Sequence, residues 1–141
     1  MPDPCTLSTV ASIISGFGVA MLSFRLQREL YMGEQKERQW IPWADWLYIG
    51  ATVASLLLVI LPLIAVGPQS GAARRLACVA CSASVVSVCG YIPSILAHYR
   101  IRPFGRKRSG PRDNPEPEER KSFYLTLLIA GAVALWVLFT A

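Results

Sequence analysis

The stretch LACVACSASVVSVCGYIPSILAHY (76–99) holds no Asp, Glu, Lys or Arg, and most of it is apolar or small. A helix at the surface of a water-soluble domain shows a charged or polar face, and this one has none. At a 1.5 Å rise per residue it is long enough to cross a hydrocarbon layer of about 30 Å. Three further stretches read the same way: residues 7–24, 46–66 and 123–141 are each free of charge. Lipid offers no hydrogen bonds to peptide groups, so each such segment satisfies its own backbone as a helix. The expected fold is an all-α integral membrane protein, a bundle of four transmembrane helices forming one domain over residues 1–141.

Composition agrees. Of the 141 residues 53% are hydrophobic and 16% charged, and the mean hydropathy is +0.41. A soluble domain carries about a quarter charged residues. Here the charges are gathered into blocks between the apolar segments. The leading residues MPDPCTLST lack the basic start of a cleavable signal. Asp3 followed by Pro4 instead reads as a helix cap with proline at the first helical position.

Sidedness follows from the basic residues. The loop over residues 25–45 carries Arg25, Arg28, Lys36 and Arg38. The loop over 100–122 carries Arg100, Arg102, Arg106, Lys107, Arg108, Arg112, Arg120 and Lys121. Only Arg74 and Arg75 lie on the other side, so the positive-inside rule places both long loops in the cytoplasm and both termini outside. Trp40, Trp43, Trp46, Tyr48, Tyr99, Phe104, Phe123 and Tyr124 gather at the level of those loops, where amphipathic rings favour the interface.

The two loops differ in kind. Residues 25–45 hold balanced charge, and the first helix is expected to run on to about Gly33. The polybasic run RIRPFGRKRSGPR (100–112) holds no acid. Its Arg102, Arg106, Lys107 and Arg108 are candidates for contact with anionic lipid headgroups, at about 1 kcal/mol per charge near the surface. Plain topological anchoring explains the same charges. A nucleic-acid role lacks a recognition fold around the cluster.

Two short segments match at an offset of 72: ASIISGFG (11–18) and ASVVSVCG (83–90), with Arg28 and Arg100 in register behind them. The match reads as a duplicated two-helix hairpin, which would put the first and third spans at the centre of the bundle. Ser12, Ser15 and Gly18 mark the face of the first span that meets another helix. Ser84, Ser87, Gly90 and Tyr91 do the same on the third. Small and hydroxylated residues let membrane helices approach closely and hydrogen-bond, each bond contributing about 0.6 kcal/mol. The same residues would equally line a narrow polar path. The fourth span, nearly all apolar, reads as lipid-facing, and Pro62 and Pro93 are expected to disturb the second and third.

Chemistry-bearing residues are few. Cys78 and Cys81 form a C-x-x-C near the end of the third span that lies opposite the long loops, and Cys5 starts the first span on the same side. The pair and the span count resemble the four-helix membrane disulfide oxidoreductases that pass electrons to quinone. That resemblance implies thiol–disulfide exchange at Cys78 and Cys81. The family's second cysteine pair in an outer loop has no counterpart in residues 67–75. A structural bridge from Cys5 to Cys78 or Cys81 is the other use of these thiols. His98 is the only histidine, and no acid lies within the four charge-free segments. A lone histidine makes a weak metal site, a proton relay lacks its usual carboxylate, and no metal or cofactor is expected.

The leading expectation is a non-enzymatic multi-pass protein acting by helix packing, as a homo-oligomer or a subunit of a membrane assembly. A pore is the sharper form of the oligomer, and a membrane thiol oxidoreductase is the alternative.

Overall fold

A computed structural model describes residues 3–34, 43–98, 101–102, 105–106 and 116–140. Four helices carry the fold: α1, Pro4–Glu34; α2, Trp43–Ala65; α3, Gly71–His98; and α4, Glu116–Thr140. A two-residue antiparallel pair, Ile101–Arg102 (β1) against Gly105–Arg106 (β2), follows α3. Each helix is long and apolar enough to cross a membrane. Their outer faces show Phe17, Phe24, Ile64, Leu128 and Phe139 at 67–84% exposure, a surface stable in lipid and not in water.

The helix ends follow local chemistry. Asp3 Oδ2 accepts the Cys5 N–H at 3.1 Å, so the Asp3-Pro4 cap forms as read from the sequence. α1 then runs for 31 residues. That is about 45 Å, well beyond a hydrocarbon core of about 30 Å. The turn between α2 and α3 holds Gly67 at φ 92°, a conformation in which a side chain is strained. Ser70 starts α3 as its cap, its Oγ accepting the Ala73 N–H at 3.4 Å. Much of the short loop expected over residues 67–75 is therefore helix.

α2 is α-helical over Trp43–Ala54, opens into a π-helix over Ser55–Ile60 and closes again over Leu61–Ala65. Pro62 accounts for the disturbance: it has no N–H to donate, and the Leu61 N–H bonds the Leu56 carbonyl, five residues back. The wide turn has a packing consequence. A stripe of buried residues on α2 is spaced by four: Leu47, Ala51, Ser55, Val59 and Leu63. On a regular α-helix a step of four overshoots a full turn by about 40°, so the stripe would wind off the core within a few steps. The π segment takes back part of that rotation and keeps the stripe on one face.

The inner pair of the bundle is α2 and α3, which pack on each other and on both flanking helices. α1 lies chiefly along α2, and α4 chiefly along α3. This corrects the expectation that the first and third spans are both central. Sequence similarity between them does not set which neighbour each one finds. α4 is the least buried helix, as its composition implies.

Small side chains fill the interior. Leu7 and Ala11 of α1 meet Val59 and Leu63 of α2 and Ala77, Cys78, Ala80 and Cys81 of α3. A Cβ on Gly18 would overlap Thr52 Oγ1 of α2, and one on Gly90 would overlap Thr126 of α4. Both crossings thus require a residue without a side chain. Gly18→Leu and Gly90→Leu are each expected to destabilise the bundle by about 1–3 kcal/mol through overpacking. Gly50→Leu, whose added carbon meets nothing within 4 Å, should be near neutral. Detergent unfolding followed by circular dichroism measures all three. Equal losses at the three positions would refute the close-packed crossings.

Candidate functional site

The concentrated polar chemistry lies at the end of the bundle nearest the long loops, where every helix contributes. α1 supplies Arg25, α2 Asp45, α3 Tyr91 and Ser94, and α4 Glu119 and Ser122. Arg25 Nε donates to Asp45 Oδ2 at 2.9 Å and Oδ1 at 3.1 Å. The two side chains are 10% and 11% exposed. This ion pair joins α1 to α2 at the end of the hairpin where the chain passes from one to the other.

Glu119 is fully buried. Its Oε1 accepts the Ala44 N–H at 2.6 Å. The first turn of a helix leaves N–H groups without partners and carries partial positive charge, and a carboxylate satisfies both. Here the cap on α2 comes from α4, 75 residues further along the chain. Ser94 Oγ donates to Ser122 Oγ at 3.0 Å, joining α3 to α4 beside it. Tyr91 stacks edge-on against Tyr48 with ring centroids 4.3 Å apart and feels the charges of Asp45, Arg25 and Glu119.

Aromatic rings cover the junction. Trp43 lies 5.5 Å from Phe123 and 6.2 Å from Tyr124, and the Arg120 guanidinium sits over Trp43 at 5.4 Å and Tyr124 at 5.5 Å. The cation–π contacts hold Arg120 against apolar surface that its charge would otherwise leave. Trp46 and Trp136 point outward, 56% and 72% exposed, as membrane-facing rings.

Toward mid-membrane, Ser84 Oγ donates to the Ala51 carbonyl of α2 at 3.3 Å, while Ser87 bonds its own helix at Ala83. Ser15, Thr52 and Ser55 are buried, and their hydroxyls have no hydrogen-bond partner. Ser12 is exposed and lines a cavity at the end of the bundle beside the α2–α3 turn. The stripes of α1 and α3 are thus brought to different neighbours: Gly18 to Thr52, Ser84 to Ala51, Gly90 to Thr126 and Tyr91 to Tyr48. They do not converge on one another.

All four thiols are free. Cys78 and Cys81 pack in the apolar cluster, and Cys5 is exposed. Lys107 and Arg108 lie outside the described residues, as do Trp40, Tyr99 and Phe104. Arg102 and Arg106 are described in backbone only. Among the described residues no group of His, Cys, Asp or Glu is placed to hold a metal ion.

Asp45, Glu119 and Arg25 are the residues that reading the sequence as charge-free windows passes over. Each lies a few residues outside an apolar stretch, yet each sits on a helix that continues the span. The four charge-free segments hold no acid, as expected, but the helices that carry them extend over Asp45 and Glu119. The signal was present in WADW (43–46), an acid enclosed by aromatic residues at the start of a span.

No family model, characterised protein or solved structure matches this chain. The fold itself defines the class: a four-helix, multi-pass membrane bundle locked at one end by buried charge.

Removing one member of a buried ion pair leaves the other uncompensated. Arg25→Leu and Asp45→Leu should each cost about 3 kcal/mol, and the double substitution should recover most of that loss. Glu119→Ala should cost about 1–3 kcal/mol, while Glu119→Gln keeps an acceptor for Ala44 and loses less. A double-mutant cycle in detergent micelles measures the coupling, and simple additivity of Arg25 and Asp45 would refute the pair.

Proposed function

We propose that this protein is a non-enzymatic membrane component that works through helix packing, as a homo-oligomer or a subunit of a larger membrane assembly. One observation carries the reading: the buried charges and two of the buried serines are engaged in joining helices. Arg25 is held by Asp45, Glu119 caps α2, Ser94 meets Ser122 and Ser84 meets the Ala51 carbonyl. A catalytic site would instead aim such groups together into a cleft. The buried, apolar setting of Cys78 and Cys81 gives thiol exchange weaker support, because a thiolate is costly there.

The outer surface supplies a place for association. Ser12, Gly16 and Ala20 recur every fourth residue along α1 and are all exposed, and a Cβ on Gly16 would meet nothing within 4 Å. Small residues at this spacing admit a second helix at close range. Both long loops face the cytoplasm, on the strength of their basic residues, and both termini lie opposite. Arg102, Arg106, Lys107 and Arg108 rest on anionic headgroups there. A duplicated hairpin gains support from position: Gly18 and Gly90 are 72 residues apart, their partners Thr52 and Thr126 are 74 apart, and so are Asp45 and Glu119.

Mass measurement of the full chain in mild detergent and in lipid nanodiscs tests this. The expected result is a discrete oligomer, or a stoichiometric complex with another membrane protein. Gly16→Ile should reduce that association at least several-fold without lowering the unfolding transition of the bundle. A monomer under all conditions, with no co-purifying subunit, would overturn it.

A further inference from the structure

The end of the bundle opposite the charged junction contains a cavity of about 640 Å³ between the start of α1, the end of α2 and the start of α3. We propose that it binds one phospholipid whose headgroup carries both a phosphate and a primary ammonium. Two charges of opposite sign border it, Asp3 before α1 and Arg74 in the first turns of α3. One wall is hydroxylated, with Ser8 and Ser12, and the facing wall is apolar, with Ile60 and Ile64.

The layout is graded as an interfacial lipid is graded. Asp3 and Arg74 sit where the helices leave the membrane and take the ammonium and the phosphate. Ser8 and Ser12 lie about 7 and 13 Å deeper along α1 at 1.5 Å per residue, the level of ester oxygens and the upper acyl chain. Ile64 is 76% exposed, so the apolar wall is continuous with the bilayer and lets a chain pass out sideways. The volume is that of a site for a drug-sized ligand, enough for a headgroup and the top of one chain. A free polar solute would have no use for that open apolar wall, and a purely anionic headgroup none for Asp3.

Native mass spectrometry of the detergent-solubilised, delipidated full chain tests the site. The probes are phosphatidylethanolamine, phosphatidylcholine and phosphatidylglycerol, with soluble phosphoethanolamine as a fourth. Phosphatidylethanolamine should be retained about tenfold more tightly than the other two lipids, the size of one charge-assisted contact. Arg74→Gln should weaken retention of all three lipids together, since each carries the phosphate, and Ser12→Phe should block binding by filling the cavity. Asp3→Asn preserves the helix cap and should bring phosphatidylglycerol level with phosphatidylethanolamine. Circular dichroism of each variant verifies that the bundle is intact. If Ser12→Phe fails to fold, Arg74→Gln and Asp3→Asn decide the matter alone. Equal retention of all three lipids would overturn the proposal, as would tight binding of phosphoethanolamine by itself.

Discussion

Inside a bilayer, apolar side chains gain nothing by leaving lipid for each other, so helices that only share hydrophobicity have no reason to choose one arrangement. What this bundle uses instead is buried charge at one end. Arg25 joins α1 to α2 through Asp45, and Glu119 joins α4 to α2 by capping its first turn. Neither contact survives a sliding of the helices, because a carboxylate cannot reach the Ala44 N–H or the Arg25 guanidinium from another register. An unpartnered charge at this depth costs several kcal/mol, so misregistered packings are strongly disfavoured. The junction thereby sets the register of α1 and α4 against α2.

From that end the packing is a matter of shape. Alanine, serine, glycine and cysteine line the interior, and helices separated by so little side chain hold each other by close contact. Gly18 against Thr52 and Gly90 against Thr126 are the tightest crossings. The π turn before Pro62 belongs to the same scheme. It keeps Ser55, Val59 and Leu63 facing inward where a regular helix would have rotated them toward lipid. A proline that reads as a simple kink thus acts as a correction of rotational phase.

These features describe a molecule whose polar groups are turned inward to its own helices over most of their length. The exceptions are at the surfaces: the small-residue row on α1, and the cavity where Asp3, Arg74 and two serines border an apolar wall. Association with another membrane helix and retention of a lipid are the activities that such surfaces support. The two surfaces meet at Ser12: the row runs from it along the α1 flank, and the cavity extends from it to the ends of α1, α2 and α3 opposite the charged junction.

Much of the fold was legible beforehand. Charge-free length and lipid's refusal of unpaired peptide groups determined four helices, and local rules determined the Asp3 cap, the extension of α1 and the exposure of α4. Gly18 and Gly90 were recognisable as contact points because glycine amid larger residues marks close approach. Their partners were not, since nothing local ties Gly90 to Thr126. Nor did sequence similarity tell which helices would be inner. The roles of Asp45 and Glu119 were hidden for a related reason: a charge beside an apolar stretch shows no use until a distant partner is brought to it. The sequence by itself determined that the chain forms membrane-crossing helices and where their small faces lie. Only the tertiary structure decided that Glu119 caps a helix 75 residues away, because pairing between distant segments depends on packing that no local pattern encodes.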